Sequence, residues 1–383
     1  MHATGEREPV TAITTDELAR RVDDPESAPF ILDVRAPDQF ERWQIEGKVE
    51  MATLNIPYWT AIVDDEETKQ AVPHDREVVV VCAHGDSSDL VVETLGLDNL
   101  HNLAGGMDAW ARTLVPHVLF DDGTKFIIQL DRIAKACLSY AVGSRGSAMA
   151  VIDPAADSSA YERIAADMEC EITDVFDTHL HADHLSLGVQ MAAEFGATYH
   201  IAPGDAEGAH FAYDALTDGE EFELGELKII VRSVATPGHT PGSTSLEVDG
   251  RYLMTGDAVF VSGVGRPDLG GETDPWARDL FRTIHEQLAP LDPELEVCPA
   301  HYTSRLEARA DGTLRRKLGD LLENDPVVSM TDEDEFVAYV VSHLGEAPGV
   351  YATIREVNMG WHIPAHDEAM ELEVGRNECA LSE

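Results

Sequence analysis

Thr178-His179-Leu180-His181-Ala182-Asp183-His184 is the stretch on which the reading of this 383-residue chain turns. It follows a strand-like run at 172–176 and precedes a helix-like run from about Ser186. Four metal-competent side chains within six residues can converge in one loop only if something cationic occupies their centre. Working outward, three more candidates occupy loop positions after later strand-like runs. They are His239 in Thr236-Pro237-Gly238-His239-Thr240, Asp257 in Thr255-Gly256-Asp257, and His301 in Pro299-Ala300-His301.

Taken in order, these seven positions resemble the metallo-β-lactamase superfamily: an HxHxDH loop, a histidine, a bridging aspartate and a final histidine. The resemblance implies an αββα sandwich with the metal site at one edge. Asp153, in Ile152-Asp153-Pro154, stands where the superfamily often carries an aspartate.

The superfamily performs two kinds of chemistry, and the resemblance carries both. In a hydrolase, two Zn ions share Asp257, with His179, His181 and His239 on one and Asp183, His184 and His301 on the other. A bridging hydroxide then attacks a thioester or amide carbonyl. In an oxygenase, one Fe(II) per chain sits on His179, His239 and Asp257, a facial triad with open positions for sulfur and O2. Zinc is redox-inert, so the metal decides the enzyme class.

Gly263-Val264-Gly265-Arg266-Pro267-Asp268-Leu269 tips the choice. This rigid loop resembles the Gly-Arg-Thr/Pro-Asp element of persulfide dioxygenases, relatives of the ethylmalonic-encephalopathy protein. In that resemblance His181, Asp183, His184 and His301 orient the ligands and substrate. Arg266 lies near the iron, where its fork holds an anionic persulfide; alternatively it only pairs with Asp268 and shapes the loop. Val264 and Tyr302 depart from the pattern, standing where some dioxygenases have a cysteine and many have an acidic residue. Glyoxalase II-like thioesterases carry a basic C-terminal helix that binds glutathione, which Arg315, Arg316 and Lys317 imitate poorly.

A second signal lies upstream. Cys82 ends the apolar run 77–81 and opens Cys82-Ala83-His84-Gly85-Asp86-Ser87-Ser88. A cysteine between a buried strand and a helix meets backbone N–H groups that stabilise its thiolate. With Asp33-Val34-Arg35 before it and Leu103-Ala104-Gly105-Gly106-Met107-Asp108-Ala109-Trp110 after it, the region resembles a rhodanese over about 14–114. Cys82 would then carry a persulfide, with Asp33 and Arg35 supporting the loop. Ser87 stands where rhodaneses commonly have Arg, and Glu46-Gly47-Lys48 replaces the usual His-Pro-Gly turn. A docking module without sulfur transfer is the alternative. The other cysteines (Cys137, Cys170, Cys298, Cys379) read as apolar fillers, Cys379 as incidental.

Lys and Arg total 27 against 72 Asp and Glu, a formal charge of −45 spread over both halves. Such a surface repels itself unless screened, and the screening length falls to about 3 Å at 1 M salt. A halophilic cytoplasm is the expected setting, and nucleic acid and membranes are disfavoured partners. Residues 1–6 lack the basic-then-apolar pattern of a leader, and five scattered cysteines form no disulfide framework. The expected location is cytoplasmic.

The fold class expected is α/β: a rhodanese-like domain at 1–114 and a metallo-β-lactamase sandwich at 116–325. A helical extension and acidic tail follow at 326–383, the tail loosely ordered from about Ala365. The leading function is a persulfide dioxygenase with a sulfurtransferase-like domain. The expected partners are a small-molecule persulfide, O2 and a sulfur-donor protein. The alternatives are a dinuclear zinc thioester hydrolase and a sulfur-sensing binding protein.

Overall fold

The computed structural model describes residues 11–234, 239–269 and 273–380. The leader reading at 1–6, and Thr236-Pro237-Gly238 ahead of His239, lie outside the described residues. The chain divides into two compact units, Met1–Val115 and Pro116–Glu383.

In the first unit, Thr14 caps the helix Thr15–Arg21 by accepting the Glu17 N–H. Five strands, β1 (Ala12–Ile13), β2 (Phe30–Asp33), β3 (Thr53–Asn55), β4 (Val78–Val81) and β5 (Leu100–Leu103), form one sheet of order β1-β5-β4-β2-β3. All neighbours run parallel. Central β4 is buried on both faces, which is why Val78–Val81 reads as an unbroken apolar run rather than alternating. Its C-terminal end delivers Cys82 to the mouth of the helix Asp86–Leu95.

The second unit contains two further sheets. One is built from β6 (Val115–Asp121), β7 (Lys125–Arg132), β8 (Cys137–Ser144), β9 (Ala148–Ile152), β10 (Glu171–Phe176), β11 (Thr198–Ile201) and β12 (Asp214–Ala215). Its order follows the chain in reverse, antiparallel from β7 to β9 and parallel from β9 to β12. The other contains β13 (Glu221–Leu224), β14 (Leu227–Val234), β15 (Thr244–Val248), β16 (Tyr252–Gly256), β17 (Glu296–Pro299) and β18 (Arg316–Lys317), in that order.

Inward side chains of both sheets share one core, with Tyr140, Val142, Ile152 and Phe176 meeting Ile229, Val231, Leu246 and Met254. Truncating one of these to Ala should cost about 2–5 kcal/mol. Outside the second sheet, Leu253 and Val297 pack with Leu280, Leu321 and Phe336 of flanking helices. Helices Ser158–Asp167 and Gly188–Phe195 follow strands of the first sheet. The result is the expected αββα sandwich.

After residue 325 the chain forms helices, and the tail is the part that departs from expectation. These helices fall in the same compact unit as the sandwich. Asp332 caps the helix Glu333–Ser342 through the Glu335 N–H. The tail expected to be loose forms the helix His366–Leu372 and then an anchored segment, with Leu372 and Cys379 buried. Apolar side chains of Tyr351, Ile354, Leu372 and Cys379 pack with Ala182 and Phe260, so burial orders a segment whose acidity read as solvated. Among the described residues, no helix is long and apolar enough to cross a membrane.

Candidate metal centre and sulfur loop

One edge of the sandwich collects the metal-competent residues. The 179–184 loop leaves β10, Asp257 leaves β16, His301 leaves β17, and His239 lies ahead of β15. All seven are at most 2% exposed. Donor atoms of His179, His239 and Asp257 lie within 4.8 Å of one another. His239 Nε2 is 3.3 Å and His179 Nε2 3.7 Å from Asp257 Oδ2. Each of these three atoms is buried without a hydrogen-bond partner. Buried polar atoms are rarely left unpaired, so three aimed at one point call for a cation.

Hydrogen bonds on the far side of each ring settle which nitrogen faces that point. His239 Nδ1–H donates to the Arg266 carbonyl at 2.9 Å. His179 Nδ1–H donates to Thr178 Oγ1 at 3.0 Å, and that hydroxyl donates to Asp153 at 2.9 Å. Both Nε2 lone pairs are thereby turned to the centre. Burial, reinforced for His179 by the neighbouring His181, holds both rings below the usual histidine range, so they are neutral and able to ligate. Burial alone would raise the Asp257 carboxyl, but His301, His179 and His239 pull it well below the carboxylate range.

Asp153 was a weak signal in the sequence, and its geometry explains its place. At φ 51° it turns out of β9 and accepts from the Thr178 amide at 2.7 Å and from His181 Nε2–H at 3.1 Å. One carboxylate thus orients two histidines of the loop.

A second group joins Asp183, His184 and His301. His184 Nδ1–H donates to Asp183 at 3.1 Å and leaves Nε2 unpartnered. His301 Nδ1–H donates to Asp257 Oδ1 at 2.5 Å, and its Nε2 stands 2.9 Å from Asp183 Oδ2. Burial opposes a charge on His301, yet Asp183 and Asp257 outweigh it and hold the ring well above its usual range. Cys137 belongs to this group, its thiol donating to Asp183 Oδ2 at 3.3 Å. Cys379 lies with Asp257 and His301 in another group whose donor atoms are within 4.8 Å. Both cysteines were read as fillers or incidental; position in the fold, not local sequence, brings them to the metal edge.

Other contributors were also missed. Asp205 accepts from the Leu180 amide at 2.8 Å, Thr240 Oγ1 at 2.6 Å and the Gly242 amide at 2.7 Å, tying the histidine loop to the His239 loop. Asn358 donates from Nδ2 to the carbonyls of His181 and His184, each at 2.9 Å. Neither lies in a motif, so nothing local in the sequence marks them.

Arg266 turns to partners within the chain. Its guanidinium is bidentate to Asp268 at 2.7 and 2.9 Å, and donates to the Gly345 carbonyl at 2.7 Å and the Glu378 carbonyl at 3.1 Å. With these partners it braces the loop and the C-terminal segment, as in the alternative in which it shapes the loop, and four of its five N–H groups are taken up within the chain. Gly265 is dictated by space, since a Cβ there would come within 2.0 Å of the Asp257 carbonyl. Of the departures noted above, Val264 packs in the core under the outer helices, and Tyr302 is buried with its hydroxyl donating to Asp131 at 3.0 Å. Arg316 and Lys317 form β18, not a basic helix. Arg315 pairs with Asp311, Arg316 with Asp320 and Lys317 with Glu294.

In the first unit, Cys82 Sγ accepts from the Gly85 amide at 3.0 Å and Ser88 Oγ at 3.1 Å. Gly106 closes over the loop: at φ 58°, a Cβ there would meet the Cys82 carbonyl at 2.3 Å. The Met107 and Asp108 amides donate to the carbonyls of Cys82 and Ala83 at 2.9 and 3.0 Å. Asp33 and Arg35 form a buried bidentate pair, and Arg35 also donates to the Trp43 carbonyl at 2.5 Å. They brace the backbone after β2.

Comparison with known proteins agrees with this architecture. Residues 14–113 match the rhodanese-like domain, and residues 132–301 match the metallo-β-lactamase superfamily. A hydroxyacylglutathione hydrolase of Acidiphilium cryptum is 30% identical over 218 residues, covering 50% of this chain and 86% of the relative. A probable polyketide biosynthesis zinc-dependent hydrolase of Bacillus velezensis is 27% identical over 206 residues, covering 53% of this chain and 85% of the relative. Among solved structures, ETHE1 from Myxococcus xanthus superposes with a TM-score of 0.52 at 25% identity, over 65% of this chain and 100% of that one. The chain therefore belongs to the metallo-β-lactamase superfamily, with a rhodanese-like domain preceding its metal-site domain.

Proposed function

We propose that this protein is an iron-dependent persulfide dioxygenase with a fused sulfurtransferase-like domain. The observation that carries this reading is the set of three unpartnered donor atoms, two imidazole nitrogens and one carboxylate oxygen, at His179, His239 and Asp257. Two histidines and a carboxylate suit Fe(II) and leave coordination positions open. When bound, the iron supplies the activation of O2. The protein's part is to fix the ligand tautomers through Arg266, Thr178 and Asp153, and to bury the site from bulk water.

In the overall reaction the S–S bond of a low-molecular-weight persulfide breaks. The terminal sulfur gives four electrons to O2 and emerges as sulfite, with the third oxygen from water, and the thiol departs. Cys82 takes sulfane sulfur as its own persulfide in this reading, held by the Gly85 amide and Ser88 hydroxyl. A sulfur-donor protein is the partner proposed for this domain.

A second reading is favoured by one observation: His184 Nε2 is also buried without a hydrogen-bond partner, and His301 Nε2 faces the same Asp183 carboxylate at 2.9 Å. They could hold a second ion with Asp183, as a dinuclear thioester hydrolase requires. Against a glutathione thioester, the basic residues at 315–317 are paired within the chain. The two readings separate on protein loaded anaerobically with Fe(II) and then given a persulfide. Oxygen uptake with sulfite release supports the dioxygenase. Hydrolysis of an acylglutathione thioester without oxygen uptake contradicts it.

A further inference from the structure

We propose that Cys379 is a built-in, displaceable sulfur ligand of the metal centre, carried to it by a C-terminal strap. The proposal rests on the metal-binding part of the function proposed above. The strap lies beyond the span that matches the superfamily, residues 132–301. It is nonetheless tied down residue after residue. Glu373 accepts from the Leu185 amide at 2.6 Å, and Asn377 donates from Nδ2 to the carbonyls of Lys135 and Ala136 at 2.7 and 2.9 Å. The Cys379 carbonyl accepts from the Arg266 amide at 2.9 Å, and Ala380 pairs with Gly265 as an antiparallel bridge.

Such anchoring fixes where the Cys379 side chain goes. Its sulfur is fully buried and lies within 4.8 Å of donor atoms of Asp257 and His301. Its hydrogen-bond contact is a long one, 4.0 Å to the Tyr351 hydroxyl. Asp257, the residue this group shares with the His179 and His239 group, keeps its Oδ2 without a hydrogen-bond partner. A thiol left nearly unpaired beside the ligand candidate Asp257 is placed as a ligand, because thiolate binds iron, cobalt and zinc well. Formation of the metal–sulfur bond breaks the S–H bond and releases the proton to water; no electrons change hands. An incoming persulfide anion offers the same donor atom, so it must compete with Cys379. The strap thereby holds the site closed to weaker ligands.

The test uses the full chain, freed of metal and loaded with Co(II) alone. The folded wild type should bind cobalt with a near-ultraviolet thiolate-to-cobalt charge-transfer band. Cys379→Ser and Cys379→Ala should lose that band and still bind cobalt, with circular dichroism reporting the fold. Cys137→Ser and Cys82→Ser should keep it. A wild type that binds cobalt without the band overturns the proposal and leaves the metal site intact, as does a band that survives both Cys379 variants. Failure to bind cobalt at all overturns the metal reading as well. X-ray absorption of the cobalt-loaded Cys137→Ser chain needs no Cys379 variant: a sulfur neighbour is expected, and nitrogen and oxygen alone would refute the proposal.

Discussion

His239 is held by the backbone of Arg266: its Nδ1–H donates to the Arg266 carbonyl at 2.9 Å. The amide of the same residue donates to Cys379, and its guanidinium binds Asp268 and two further carbonyls. One residue thus joins a metal-ligand candidate to the C-terminal strap.

Arg266→Ala should therefore act on stability before it acts on substrate. The pair with Asp268 is largely buried, and removing one partner of such a pair costs about 3 kcal/mol or more. Chemical denaturation should show that loss, together with faster proteolysis of the C-terminal segment. An unchanged midpoint with a raised KM for persulfide would return Arg266 to the substrate-binding role.

Asn358→Ala should weaken metal binding without touching a ligand. Its amide holds the carbonyls of His181 and His184, and its Oδ1 accepts the Ser186 amide at 3.0 Å. Loss of such an orienting group lowers metal affinity by roughly 10-fold or more. Competition with a chelator measures this; an unchanged affinity would confine Asn358 to a structural role.

The sequence made some of this architecture legible and hid the rest for a physical reason. The 179–184 loop, Asp257 and His301 were readable because they crowd chemistry into strand-end motifs. The unbroken Val78–Val81 run announced a central parallel strand because burial on both faces removes alternation. Asp205, Asn358, Cys137 and Cys379 were not legible as site residues, since each reaches the metal edge through tertiary packing. The acidic tail misled because net charge measures solvation on average, whereas Leu372 and Cys379 anchor it by burial. Arg266 was found as a motif residue, but its partners at Gly345 and Glu378 lie far along the chain.

Cys82→Ser should abolish sulfur transfer from thiosulfate to cyanide, because a hydroxyl cannot carry sulfane sulfur. Oxygen uptake with free persulfide should persist, since Cys82 and the metal-site residues belong to different compact units. Thiocyanate formation and oxygen uptake on one preparation test both halves. Loss of oxygen uptake in a folded variant would mean that Cys82 presents the substrate.

The charge of −45 makes stability depend on screening. Thermal melting in about 2 M KCl should exceed that in about 0.1 M, where the screening length is near 10 Å. Equal melting in both would remove the salt-adaptation argument.

The central claim is settled most directly by metal analysis of anaerobically purified protein and its variants. The expected result is one iron per chain, lost in His239→Ala and Asp257→Ala and retained in His301→Ala, because His301 turns to Asp257 and Asp183. Two zinc ions per chain, with one released by His301→Ala, would contradict the dioxygenase and establish the dinuclear hydrolase.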